Sequence, residues 1–77
     1  MPTVLRIHGY RFFFFSDEHM PKHIHIEKGG SYLRVELDTY KVTDSYDISL
    51  KEITKVVKLV KENKETLEGA WNEYFKQ

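Results

Sequence analysis

KHIHIEKGGSYLRVEL, residues 22–37, decides the fold class, because both of its halves alternate with a period of two about a pair of glycines. Such alternation belongs to a half-buried strand, and Gly29-Gly30 is a two-residue hairpin signal. Ile24 and Ile26 share one side of the outgoing strand, and His23, His25 and Glu27 share the other. Leu33, Val35 and Leu37 point inward on the return. Counting back from the turn pairs Ile26 with Leu33 and Ile24 with Val35. On the opposite side His25 then faces Arg34, His23 faces Glu36 and Glu27 faces Tyr32. One face of this hairpin needs an apolar cover, and the other gathers imidazoles, a guanidinium and a phenol.

Upstream, TVLRIH (residues 3–8) alternates in the same way, and YRFFFF (residues 10–15) follows almost at once. A type II′ turn at Gly9-Tyr10 sets Ile7 opposite Phe12 and Leu5 opposite Phe14. A turn at His8-Gly9 sets Arg6 opposite Arg11, a like-charge pair that costs stability; the first register is therefore expected. SDEHMP (residues 16–21) reads as a loop, with Pro21 acceptable just before a strand.

Downstream, TYKV (residues 39–42) is a candidate fifth strand, and the Asp/Ser-rich remainder up to residue 48 is turn-like. Ser49 and Glu52 have the spacing of a capping box. A helix over residues 49–76 follows, with an apolar stripe of Leu50, Ile53, Val57, Val60, Leu67, Trp71 and Tyr74. Asn63 or Lys64 is where it would bend or break. The expected class is α+β, one domain over residues 1–77: a strand-rich part (1–42) forming a small antiparallel sheet of four strands, five if TYKV pairs, and one long C-terminal helix packed on one face.

The chain has 77 residues, near the lower limit for a single unstapled core, and no cysteine, which excludes disulfides and thiolate sites. Its hydrophobic fraction of 40%, with 14% aromatic, supplies enough apolar surface for a compact core. Zero net charge argues against a coat protein held on nucleic acid by charge alone. The charge is uneven, however: residues 1–35 carry five Lys/Arg against three Asp/Glu, and residues 36–77 carry seven against nine. No apolar run is long enough for a bilayer and the N-terminus lacks the pattern of a signal peptide, so no membrane association and a cytoplasmic location are expected.

The face left uncovered by the helix carries three chemical readings. His23, His25, Arg34 and Tyr32 supply a base, an acid and a cationic clamp, the parts that metal-independent RNA cleavage requires. Arg6, His8 and Arg11, with outward Phe13 and Phe15, would hold nucleic acid by charge and stacking, or dock a partner protein; the two rings would equally make a homodimer patch. His23 and His25, about 7 Å apart at their roots, could share a divalent metal such as zinc with Glu27 as third ligand, His19 or His8 being alternatives. No other cofactor is expected. The plain alternative is that both histidines hydrogen-bond to Glu27, Glu36 and water.

MPTVLRI, GYRFFFFS, PKHIHIEKG and the closing AWNEYF together resemble a bacterial family, domain of unknown function 4160. The resemblance spans essentially the whole chain and rests on Gly9, Tyr10, Arg11, Phe12, Phe14, Pro21, His23, His25 and Trp71, with isoleucines where valines are frequent around the histidines. It implies no established activity. It does imply a setting similar to toxin–antitoxin loci, with a small protein encoded nearby as partner. The function expected is thus a component of such a module that binds or cleaves RNA through the His/Arg sheet face. A non-catalytic interaction module and a small metal-binding domain are the alternatives.

Overall fold

The computed structural model describes residues 3–75. Five strands, β1 (Thr3–Ile7), β2 (Tyr10–Phe13), β3 (His23–Lys28), β4 (Ser31–Glu36) and β5 (Val42–Tyr46), precede two helices, α1 (Leu50–Glu62) and α2 (Lys64–Tyr74). The strands form one antiparallel meander in chain order. Met1, Pro2 and the final residue of the expected helix, Lys76, lie outside the described residues.

The central hairpin has the expected register throughout: Ile26 opposite Leu33, Ile24 opposite Val35, His25 opposite Arg34, His23 opposite Glu36 and Glu27 opposite Tyr32. Its apolar face is completed by Tyr10, Phe12 and Phe14, and the helices bury Val56, Leu59, Val60, Leu67 and Trp71 against it.

The first hairpin departs from expectation. Its turn is His8-Gly9, with φ of 53° and 84°, and it sets Arg6 opposite Arg11 and Ile7 opposite Tyr10. Positive φ at both turn residues is type I′, whose twist matches that of the flanking strands. The like-charge pair is tolerated because Arg11 is engaged elsewhere: its guanidinium lies 2.9 Å from Glu27 and 4.3 Å from the centroid of the Phe13 ring. A bulge between Thr3 and Leu5 lets Val4 and Leu5 both pack against the core.

The fifth strand is real but starts where the TYKV candidate ends. Asp44, Ser45 and Tyr46 in β5 are exposed, and polar residues on an edge strand discourage pairing with another chain. That polarity is what made the segment look like a turn.

The single long helix is two helices, parted at Asn63 (φ −114°, ψ 21°). The Asn63 side-chain amide donates to the Leu59 carbonyl at 2.8 Å, capping α1 where its own carbonyls run out of partners. At the other end Ser49 accepts from the Glu52 amide at 3.1 Å. Glu52 does not complete the capping box; its carboxylate accepts from the Tyr10 hydroxyl at 2.7 Å, joining α1 to β2. Leu50 and Tyr74, the ends of the expected stripe, are exposed, and Val56 and Leu59 are core instead.

Candidate functional site

Strand parity puts His23 and His25 on the side opposite Ile24 and Ile26, but the face they enter is not open, and the His23 ring also lies 5.3 Å from the Trp71 ring of α2. Residues 14–22, the nine-residue connection from β2 to β3, fold back across it and bring Glu18 onto both rings. Glu18 Oε1 lies 2.9 Å from His23 Nε2, and Oε2 lies 2.6 Å from His25 Nε2. The Phe15 amide donates to the same Oε2 at 3.1 Å, which fixes the loop's path. Among the described residues Glu18, His23 and His25 form one group whose potential ligand atoms all lie within 4.8 Å of each other.

His25 is 3% exposed, the one buried polar residue among those described. Phe13 stacks on its ring at 5.4 Å, Phe15 meets it edge-on at 4.5 Å, and Tyr32 lies parallel at 6.0 Å. Its Nδ1 is 2.7 Å from the Tyr32 hydroxyl. Burial pushes the His25 pKa down, more than the Glu18 carboxylate raises it, and the charges of His23 and Arg34 add to the depression. A neutral ring with its proton on Nε2, donating to Glu18 and accepting from Tyr32, meets both contacts.

Burial also works to raise the Glu18 pKa, but the Phe15 amide and the two imidazoles outweigh it and hold the carboxyl below the ordinary carboxylate range. Burial raises the Tyr32 phenol; Arg34 opposes this, and the charges of Asp44 and Glu18 reinforce it. His23 is held differently. Its Nδ1 is 2.8 Å from the carbonyl of Pro21, the residue that closes the cis Met20–Pro21 bond, while its Nε2 faces Glu18. Both of its partners are acceptors.

A cleft of about 280 Å³ opens beside this group, lined by Glu18, His19, Met20, Pro21, His23, Arg34, Glu36 and Thr43. Arg34 Nε donates to the Thr43 hydroxyl at 2.8 Å. No carboxylate among the described residues lies within 4.0 Å of the rest of its guanidinium. His23 and Arg34 thus share a solvent-open cleft, whereas His25 and Tyr32 stand behind it.

Of the sequence-derived candidates, His23, His25 and Tyr32 come together and Arg34 borders them. Glu27 does not join them: it is four residues along β3 from His23, about 13 Å at strand rise, and pairs with Arg11. Glu36 accepts from Thr39 instead of a histidine. Arg6 and His8 are exposed at the Gly29-Gly30 end of the sheet, where Arg6, Arg11 and Lys28 border a second, polar cleft. Phe13 is buried beneath His25, so the expected exposed aromatic pair is reduced to Phe15. Sequence reasoning missed Glu18. The available signal was a carboxylate in the loop directly preceding a histidine-bearing strand.

Comparison with known proteins gives a match between residues 9–72 and the family described as Domain of unknown function (DUF4160). No curated protein and no solved structure matches the chain. Among the described residues no helix is long and apolar enough to cross a membrane.

Proposed function

This chain belongs to the DUF4160 family, and from its site we propose that it binds RNA by the phosphodiester backbone and cleaves it in the cleft beside His23. It would do so as one half of a two-protein module of the toxin–antitoxin kind, its partner a small protein encoded nearby.

The observation that carries this reading is the shared cleft: a guanidinium with uncommitted nitrogens beside a carboxylate-held imidazole. A guanidinium fork matches two oxygens of one phosphate and is well placed to steady charge that develops on it. Thr43 holds the fork from its Nε side. His23 is the ring that lines the cleft; His25 is too buried to meet a substrate and acts through Glu18 as a positioning residue. The Arg6 guanidinium, with His8 in the same turn region, offers the backbone a second contact at the far end of the sheet.

Two chemistries are open to this centre: a proton relay through His23 and Glu18, or a metal ion in place of the two ring protons. The test of the functional reading does not depend on which operates. RNA binding, RNA degradation and growth arrest are measured on expression of wild type, Arg34→Ala and His23→Ala. Both variants are expected to lose cleavage, and Arg34→Ala to bind RNA more weakly. Equal degradation by all three proteins removes the cleft from the mechanism.

One observation favours a docking role in the same module. Beside the edge strand β1, Val4, Phe14, Ala70 and Tyr74 border an apolar groove of about 430 Å³. Co-purification with the neighbouring gene product that is lost in Ala70→Glu and kept in Arg34→Ala assigns partner binding to this groove.

A further inference from the structure

We propose that Glu18, His23 and His25 form a binding site for one divalent first-row metal ion, held by Glu18 Oε and the Nε2 atoms of both histidines. The inference goes beyond the RNA reading and stands without it.

Three observations converge. First, the three ligand groups already point at one another. In a tetrahedral zinc site with bonds of about 2.0–2.1 Å, neighbouring ligand atoms are roughly 3.3 Å apart. The observed separations are 2.9 and 2.6 Å, and all three groups stay within 4.8 Å. These two contacts run to different Glu18 oxygens; lengthening them by about half an ångström and drawing in the wider separations of up to 4.8 Å gives the spacing an ion needs.

Second, the distal nitrogen of each ring is already oriented. His23 Nδ1 faces the Pro21 carbonyl at 2.8 Å, and His25 Nδ1 faces the Tyr32 hydroxyl at 2.7 Å. A histidine that binds metal through Nε2 carries its proton on Nδ1 and gives it to a carbonyl, carboxylate or hydroxyl.

Third, His23 meets an acceptor at each nitrogen, and satisfying both takes a second positive group on Nε2, either a proton or a metal ion. A ring carrying one N–H satisfies only one of them. With a metal on Nε2 the remaining proton serves Pro21, and the carboxylate bonds the ion. A structural latch holding the loop to the sheet would explain the Glu18 contacts alone.

Two imidazoles and one carboxylate leave at least one coordination position unfilled, the arrangement of catalytic sites more than of structural ones. Because Glu18 and His23 line the cleft, that position has a way out to solvent. Two neutral rings, one carboxylate and a divalent ion sum to +1, and with Arg34 alongside, the cleft would attract anions.

The test uses the full chain, purified without a histidine tag and stripped with chelator, titrated separately with Zn²⁺ and Co²⁺. One ion per chain is expected, with ¹⁵N shifts placing the metal on Nε2 of both His23 and His25. Affinity should fall at least 100-fold in Glu18→Gln and about tenfold in Tyr32→Phe, which leaves the ligands intact and loses an oriented acceptor. Circular dichroism of each metal-free variant checks that it is folded; the shift assignment on wild type decides the matter if Glu18→Gln is not. Absence of stoichiometric binding, binding that survives Glu18→Gln, or an ion on His8 or His19 overturns the proposal. No RNA is present in any of these measurements, so their outcome is separable from that of the cleavage assay.

Discussion

Replacing Glu18 by alanine removes a side chain that is 8% exposed and accepts from three donors: the Phe15 amide, His23 Nε2 and His25 Nε2. Hydrogen bonds to an ionised group contribute about 1.5–3 kcal/mol each, and removing one partner of a buried ionic contact costs about 3–5 kcal/mol because the donors left behind stay desolvated. Water entering the emptied loop would rescue part of this, so a loss near 3 kcal/mol is expected for metal-free protein. A 77-residue domain has a total stability of about 4–12 kcal/mol, so the variant should remain folded but with its melting temperature lowered by about 12–24 °C. Urea denaturation followed by circular dichroism, in chelator and at neutral pH, measures the difference. The built-in control is Glu27→Ala: Glu27 also pairs with a cation, but 45% of its side chain is exposed, and such pairs contribute less than about 1 kcal/mol. If the two variants lose equally little, Glu18 does not hold the loop to the sheet and the burial of His25 has another cause.

Three further outcomes follow from single positions. Burial and the Glu52 carboxylate push the Tyr10 phenol up to about 12 from 10.0; a raised folded-state pKa stabilises fully below the unfolded value, so this contribution is present below pH 10 and is lost as pH rises towards 12. Absorbance titration should show two of the five tyrosines, Tyr10 and Tyr32, ionising late, and Glu52→Gln should move the Tyr10 midpoint down; a Tyr10 midpoint near 10 in the wild type would contradict the contact. Alanine at Gly9, where φ is 84° and a Cβ would meet Lys28 Cε at 3.2 Å, should destabilise by about 1–2 kcal/mol. Alanine at Gly69, exposed in α2 with nothing within 4 Å of its Cβ position, should stabilise by about 0.5–1 kcal/mol. Chemical denaturation of both variants reads the opposite signs.

What the sequence made legible was local. The parity of the 22–37 hairpin and its register follow from a two-residue turn and a period of two, and every pair is found as counted. The first hairpin was misjudged because the Arg6–Arg11 repulsion is visible in the sequence, whereas the relief of Arg11 by Glu27 depends on β3 lying beside β2. β5 was obscured by its own polarity. The break at Asn63 was readable as a site of weakness, but the stripe did not show that α1 buries Val56, Leu59 and Val60 while Leu50 and Tyr74, at the outer ends of the two helices, stay exposed. The same division runs through the site. His23, His25 and Tyr32 follow from register alone, while Glu18 depends on the path of a loop that no periodicity describes.

That loop is the clue to what the fold is organised around. β2 and β3 are adjacent and antiparallel, a pairing that two to five residues usually connect; this chain uses nine. Phe14, the first residue of the connection, belongs to the core beside Trp71; shortening the connection beyond it would leave the sheet pairing and the helix-covered core in place. It would remove Phe15, which closes one side of His25, and Glu18, which joins the two imidazoles. The length beyond Phe14 therefore serves the histidine face and not the core. A carboxylate drawn under a loop carries a desolvation cost of several kcal/mol that an apolar cover would avoid, so a loop needed only to shield that face would be better built without Glu18. Its presence, with both rings turned edge-on to it and an arginine at the open side, is the arrangement of a centre that handles charge.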